Sequence, residues 1–162
     1  MIGWSGYTWD HHLFPHPEKF VSWLKQQGLH LGLNLHPASG VQPWEEQYSD
    51  MAKYCGIDPS TQRYVPYDMT NKTWAKGFLD LVLSKVTDLG VDFWWIDWQQ
   101  WLTGNPNPTL WINHVLFHDK QTRSTTGDRG VILHRWGGLG NHRYPVGFSG
   151  DTITSWSTLA FQ

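Results

Sequence analysis

Cysteine is almost missing from this chain of 162 residues: Cys55 stands alone. An intrachain disulfide is excluded and no zinc constellation is offered. Beside Tyr54 and Gly56 the lone thiol reads as a small buried hydrophobe. Charge is scarce as well, at 16% of residues, and a net charge of −2 leaves no electrostatic footprint for nucleic acid or an anionic membrane. No apolar run approaches the ~18 residues that a transmembrane helix requires. The opening Met1-Ile2-Gly3-Trp4-Ser5-Gly6 lacks the basic and apolar regions of a secretion signal. What the chain has in excess is aromatic: 15% of residues, with 12 Trp. That excess fits a large core and a carbohydrate cleft equally well.

The length suffices for one domain with a sizeable core. Residues 1–17 are rich in Gly, Trp and His and read as an ordered loop. A helix is predicted over 18–27, with Pro17 ahead of it, Phe20, Val21 and Leu24 at helical spacing, and Gly28 placed to stop it in a left-handed conformation. A strand over 29–35 follows. Further helices are predicted over 45–54, 71–87 and 110–123, and one starting at Trp156. Further strands are predicted over 91–98, 130–135 and 146–149. Strands alternating with helices argue for parallel βα units, and the nearly continuous apolar run of 91–96 fits a strand covered on both faces.

Two acids end two of these strands. Asp97 closes Phe93-Trp94-Trp95-Ile96, and Asp151 closes Gly147-Phe148-Ser149-Gly150. An ionised carboxylate in an apolar run is costly unless paired, hydrogen-bonded or placed in a cleft. Trp95 and Trp98 add flat apolar faces on which sugar rings stack. A pair of carboxylates is the requirement of glycosidic bond hydrolysis, about 5–5.5 Å apart for retention and about 6.5–9.5 Å for inversion. Each Asp also reads as a helix N-cap. Arg135, at the end of another strand, suits gripping a carboxylate or a sugar hydroxyl with its planar fork, and equally suits a structural ion pair; Arg143 shares that ambiguity. His36 closes the first strand and either lines the cleft or is a satisfied structural residue. His114 and His118 are spaced i, i+4, but no Glu in the general-base position and no third ligand accompany them, so a metal site is not expected.

Chemistry gathered at strand C-terminal ends fits a TIM barrel, whose active sites occupy that face. Eight βα units need about 250 residues, and four strands are counted here. In order and spacing, Gly6-Tyr7-Thr8-Trp9 through Phe14-Pro15, Leu33-Asn34-Leu35-His36-Pro37, Phe93-Trp94-Trp95-Ile96-Asp97-Trp98, His142-Arg143-Tyr144 and Phe148-Ser149-Gly150-Asp151 resemble glycoside hydrolase family 31. The resemblance runs nearly end to end. It implies a retaining α-glycosidase on a (β/α)8 barrel, acting on an α-linked oligosaccharide or glycoside with no metal or organic cofactor.

Carried over by position, Asp97 matches the family's nucleophile and Asp151 its acid/base. Arg135 matches an arginine near nucleophile and sugar, Trp95 an aromatic wall of the sugar subsite, and Arg143 a cleft-side arginine. Trp98, His36 and Phe148, the last where Trp is common, complete the expected substrate-binding set. The chain departs from the family in following the nucleophile with Trp98-Gln99-Gln100 in place of Met-Asn-Glu, which removes a charge beside it. By family order residues 1–162 correspond to roughly the third to sixth strands, a single segment incomplete at both ends. The expectation is a partial barrel, inactive in isolation, whose remaining strands belong to a longer chain. The competing readings are a non-catalytic carbohydrate-binding remnant and a purely structural α/β fragment.

Overall fold

The computed structural model describes residues 3–97, 107–124, 127, 129–135 and 138–161. Its first helix, α1 (Pro17–Gln26), starts on the proline that φ restriction suits to a first turn. It ends where expected: Gly28 takes φ +71°, and the N–H groups of Gly28 and Leu29 close on Lys25 and Leu24 carbonyls. That ending uses up the first residues of the predicted strand. β1 therefore covers only Gly32–Leu35, and the amide of Leu31 is taken by the Asp92 carboxylate at 2.8 Å.

From β1 the chain runs through α2 (Tyr48–Tyr54) into a rod made of α3 (Lys72–Gly77), a π-helical stretch (Phe78–Leu83) and α4 (Ser84–Thr87). Asn71 caps the rod by accepting from the Thr73 and Trp74 amides. Sequence periodicity predicts this rod as one plain helix; the wider middle turn is what the structure adds. The hydroxyls of Ser84 and Thr87 bond back to the Asp80 and Leu83 carbonyls at 2.6 and 3.1 Å, within and just beyond that turn. β2 (Phe93–Ile96) is followed by α5 (Pro108–Arg123), capped by Asn107, and then by β3 (Ile132–His134). α6 (Trp156–Phe161) ends the described chain.

Among the described residues the sheet has three parallel strands in the order β1-β2-β3, with Leu33, Trp94 and Ile132 in one row and Leu35, Ile96 and His134 in another. These rows face the helices. Leu35, Trp94, Ile96 and Ile132 are buried against Phe78 and Val82 of the π-helical stretch and against Ile112 and Leu116 of α5. The core is thus a sheet face under helices, the basic α/β layer. The opposite face carries Asn34, Trp95 and Leu133, none of them buried.

The predicted fourth strand over 146–149 does not form. Only a single parallel bridge joins Gly147 to His134, through His134 N–H to Val146 O (3.0 Å) and Phe148 N–H to His134 O (2.8 Å). Val146 sits at φ +71°, a conformation that a β-branched residue rarely adopts and that interrupts regular strand pairing. Apolar content alone predicts a strand there; one left-handed residue interrupts it.

Candidate active site

Three side chains emerge from the C-terminal ends of the three strands. His36, Asp97 and Arg135 directly follow the Leu35–Ile96–His134 row, and the ladder continues beneath them: Asp97 N–H donates to Leu35 O and Arg135 N–H to Ile96 O, at 3.4 and 3.2 Å. Side chains alternate along a strand, so these three share the face of Asn34, Trp95 and Leu133.

Both oxygens of Asp97 are held. Arg135 Nε donates to Oδ1, and His36 Nε2 lies 3.2 Å from Oδ2. An ionised carboxylate only accepts, so His36 carries its proton on Nε2 in that contact. The neighbouring Nη2 of the same guanidinium reaches Asp151, 2.9 Å from Oδ2. One arginine therefore touches both predicted catalytic acids. The two sit in different surroundings: the Asp97 side chain is 13% exposed and that of Asp151 75%. Burial lowers the Arg135 guanidinium's proton affinity, but its hydrogen bonds to Asp151 and Asp97 outweigh this and raise it above its ordinary value.

Arg135 is itself buried and rests on aromatic carbon. Its guanidinium carbon lies 5.1 Å from the centre of the Phe148 ring, and Phe148 meets Trp95 edge-on at 4.9 Å. Trp95 and Phe148 thus stand beside the cation. Arg143 does not join them: it is exposed in the short 3-10 turn Asn141–Arg143 and makes no bond to either carboxylate. Trp98 lies outside the described residues.

Sequence reasoning misses the parts that support this group. Asn141 donates to the Arg135 carbonyl (2.8 Å), lies 2.7 Å from His134 Nδ1, and accepts from Asn113 of α5 (3.0 Å). A carbonyl only accepts, so His134 donates through Nε2 to Tyr144 O at 2.9 Å, while Nδ1 lies between the Asn141 amide and the Arg135 carbonyl (2.9 Å). The end of β3 is thereby pinned from behind. On the β1 side, Ser5 accepts the His36 amide at 2.9 Å. Ser5 and Thr8 both donate to the buried Glu45, the Thr8 contact measuring 2.5 Å. Burial raises the Glu45 carboxyl above its ordinary value, and these two hydroxyls offset that only in part. Asn113 is fully buried on α5, among Ile112 and Leu116, and no sequence pattern marks it. Among the described residues no group of three His, Cys, Asp or Glu side chains could hold a metal ion.

Asp97 thus stands at the C-terminal end of a parallel strand, the face on which TIM-barrel sites sit, and Asp151 is joined to it through Arg135. The family model for the glycosyl hydrolases family 31 TIM-barrel domain matches residues 1–162. The chain belongs to glycoside hydrolase family 31. The three-stranded parallel sheet is consistent with part of that family's barrel. Among curated relatives, an α-xylosidase of Saccharolobus solfataricus is 25% identical over 188 aligned residues, which take in 99% of this chain and 24% of the relative. This family 31 chain therefore spans about a quarter of that relative's length. No helix among the described residues is long and apolar enough to cross a membrane.

Proposed function

We propose that this segment supplies both catalytic carboxylates of a retaining α-glycosidase, Asp97 as nucleophile and Asp151 as acid/base. The observation that carries the reading is Arg135, whose single planar fork touches both acids. Two carboxylates held on one guanidinium face the same small space, which supports their acting on one glycosidic bond; the retaining course is what the family resemblance implies.

In the first step an Asp97 oxygen attacks the anomeric carbon as the bond to the leaving oxygen breaks. Asp151 gives its proton to that oxygen, and a β-linked glycosyl-enzyme results. In the second step water attacks the same carbon, its proton passes to Asp151, and the electron pair of the ester bond returns to Asp97. Arg135 and His36, each on one oxygen of Asp97, fix the plane of the nucleophile before attack. Trp95 and Phe148 offer apolar faces to the sugar. The substrate is an α-linked glycoside, and the α-xylosidase relative makes α-xylosides the first to try. Trapping the protein with a fluorinated α-glycoside and mapping the labelled peptide tests the assignment: the label belongs on Asp97, and a label elsewhere refutes it.

The segment works within a longer (β/α)8 barrel, as roughly its third to sixth strands. The half-open face of Asn34, Trp95 and Leu133 supports this, as do the exposed apolar side chains Ile153, Trp156, Leu159 and Phe161. The isolated 162 residues are expected to leave 4-nitrophenyl α-glycosides unhydrolysed; turnover at ordinary enzymatic rates would sink this part of the reading.

A further inference from the structure

Trp4 is placed unlike the tryptophans of the core. Trp9, Trp74 and Trp94 are each 5% exposed, whereas Trp4 is 59% exposed. Its ring lies over the imidazole of His36, centroids 4.3 Å apart and planes at 36°. That same imidazole touches Asp97. One ring therefore separates this exposed indole from the carboxylate proposed as nucleophile.

The indole is also firmly mounted. The next residue, Ser5, is tied to the end of β1 through its carbonyl and to the buried Glu45 through its hydroxyl. Thr8 adds a second bond to Glu45, and Gln47 donates to the Tyr7 carbonyl at 3.0 Å. On the other flank the Trp44 indole sits so close to Gly3 that a Cβ there would lie 2.9 Å from its Nε1. What sets Trp4 apart from the other exposed tryptophans is its place: a flat apolar face, fixed against the His36 ring that touches Asp97. The acids are then flanked by aromatics on both sides: Trp4 over His36 toward β1, and Phe148 with Trp95 toward β3.

We infer that Trp4 is a sugar platform of this site, stacking its exposed face against the C–H face of a pyranose ring whose glycosidic bond is presented to Asp97. The inference rests on the glycosidase reading above and adds a binding residue to it. Because the platform is fixed before the sugar arrives, little ordering cost is left to bind it.

Equilibrium titration of the full-length protein with the hydrolysis-resistant 1-thio analogues of 4-nitrophenyl α-D-glucopyranoside and 4-nitrophenyl α-D-xylopyranoside tests it, the O-glycosides themselves serving for turnover. Trp4→Ala should weaken the better-bound glycoside about tenfold or more, the loss of one aromatic face, while Trp4→Phe keeps most of the affinity. In turnover the same loss should fall on KM more than on kcat; a role confined to propping His36 and Asp97 would reverse that split. Unchanged affinity in Trp4→Ala, no rescue by Trp4→Phe, or failure of the parent protein to bind either glycoside overturns the platform. Asp97→Asn, measured alongside, is expected to bind both analogues and hydrolyse neither O-glycoside. Hydrolysis by Asp97→Asn would refute the nucleophile and leave the binding result for Trp4 standing.

Discussion

Replacing Arg135 by alanine removes the one cation that touches both acids, and the structure says how the loss divides. The arm to Asp97 is nearly dry: both side chains are largely buried, at 5% and 13% exposure. Taking one partner from a buried pair costs about 3–5 kcal/mol, because the remaining charge is left uncompensated. Asp97 keeps His36 and some solvent, so the low end of that range, about 3 kcal/mol, applies. The arm to Asp151 is different. That carboxylate is 75% exposed, and such a pair contributes about 0–1 kcal/mol. The Phe148 contact adds about 0.5–1 kcal/mol. Summed over these contacts, Arg135→Ala should lose about 3.5–5 kcal/mol of stability, most of it through Asp97. Arg135→Lys should recover only part, since a point charge cannot reproduce two forked contacts. Denaturant unfolding of the parent, Arg135→Ala, Asp97→Asn, Asp151→Asn and the two double variants gives the coupling for each arm. A coupling to Asp151 as large as that to Asp97, or a loss under about 1 kcal/mol in Arg135→Ala, would refute the argument from burial.

Two further predictions concern the segment that carries Trp4. Gly6 has φ +90° and packs so tightly on β1 that a Cβ would lie 2.3 Å from the Asn34 carbonyl oxygen. Gly6→Ala should cost about 1–2 kcal/mol in backbone strain and about 1–3 kcal/mol in overlap, read as a lower melting temperature; an unaltered one contradicts the geometry. Glu45 has a folded-state pKa raised by burial, so the folded protein holds this proton more tightly than the unfolded chain. Its contribution is fully present below the unfolded value and is lost as pH rises through the raised folded one. Melting temperatures measured upward from pH 4 should accordingly fall more for the parent than for Glu45→Gln, and parallel curves would show that Glu45 does not titrate in this window.

The tryptophan excess shows how far composition reaches. Read from the sequence it fits either a core or a cleft, and the structure uses it for both: Trp9, Trp74 and Trp94 are buried, while Trp4 and Trp44 are open. The count is a property of the chain; the division depends on which face each residue's backbone turns inward. The missing strand at 146–149 teaches the same lesson locally. Its apolar residues are in the sequence, but the left-handed Val146 stands where the returning chain meets the end of β3, and only one bridge forms.

Local chemistry determined much on its own. Pro17 and Gly28 bound α1, helical spacing of Phe20, Val21 and Leu24 marks it, and apolar runs locate β1, β2 and β3 to within a few residues. The placing of His36, Asp97 and Arg135 at strand ends was legible too, because each directly follows its run. Such features depend on neighbours a few positions away. Tertiary structure alone decided that Arg135 reaches both Asp97 and Asp151, that Glu45 fastens Ser5 and Thr8, and that Trp4 covers His36. Those partners are far apart in the chain, and no periodicity links them. They meet because parallel register brings three strand ends level, and because a buried acid must find donors wherever the fold brings them.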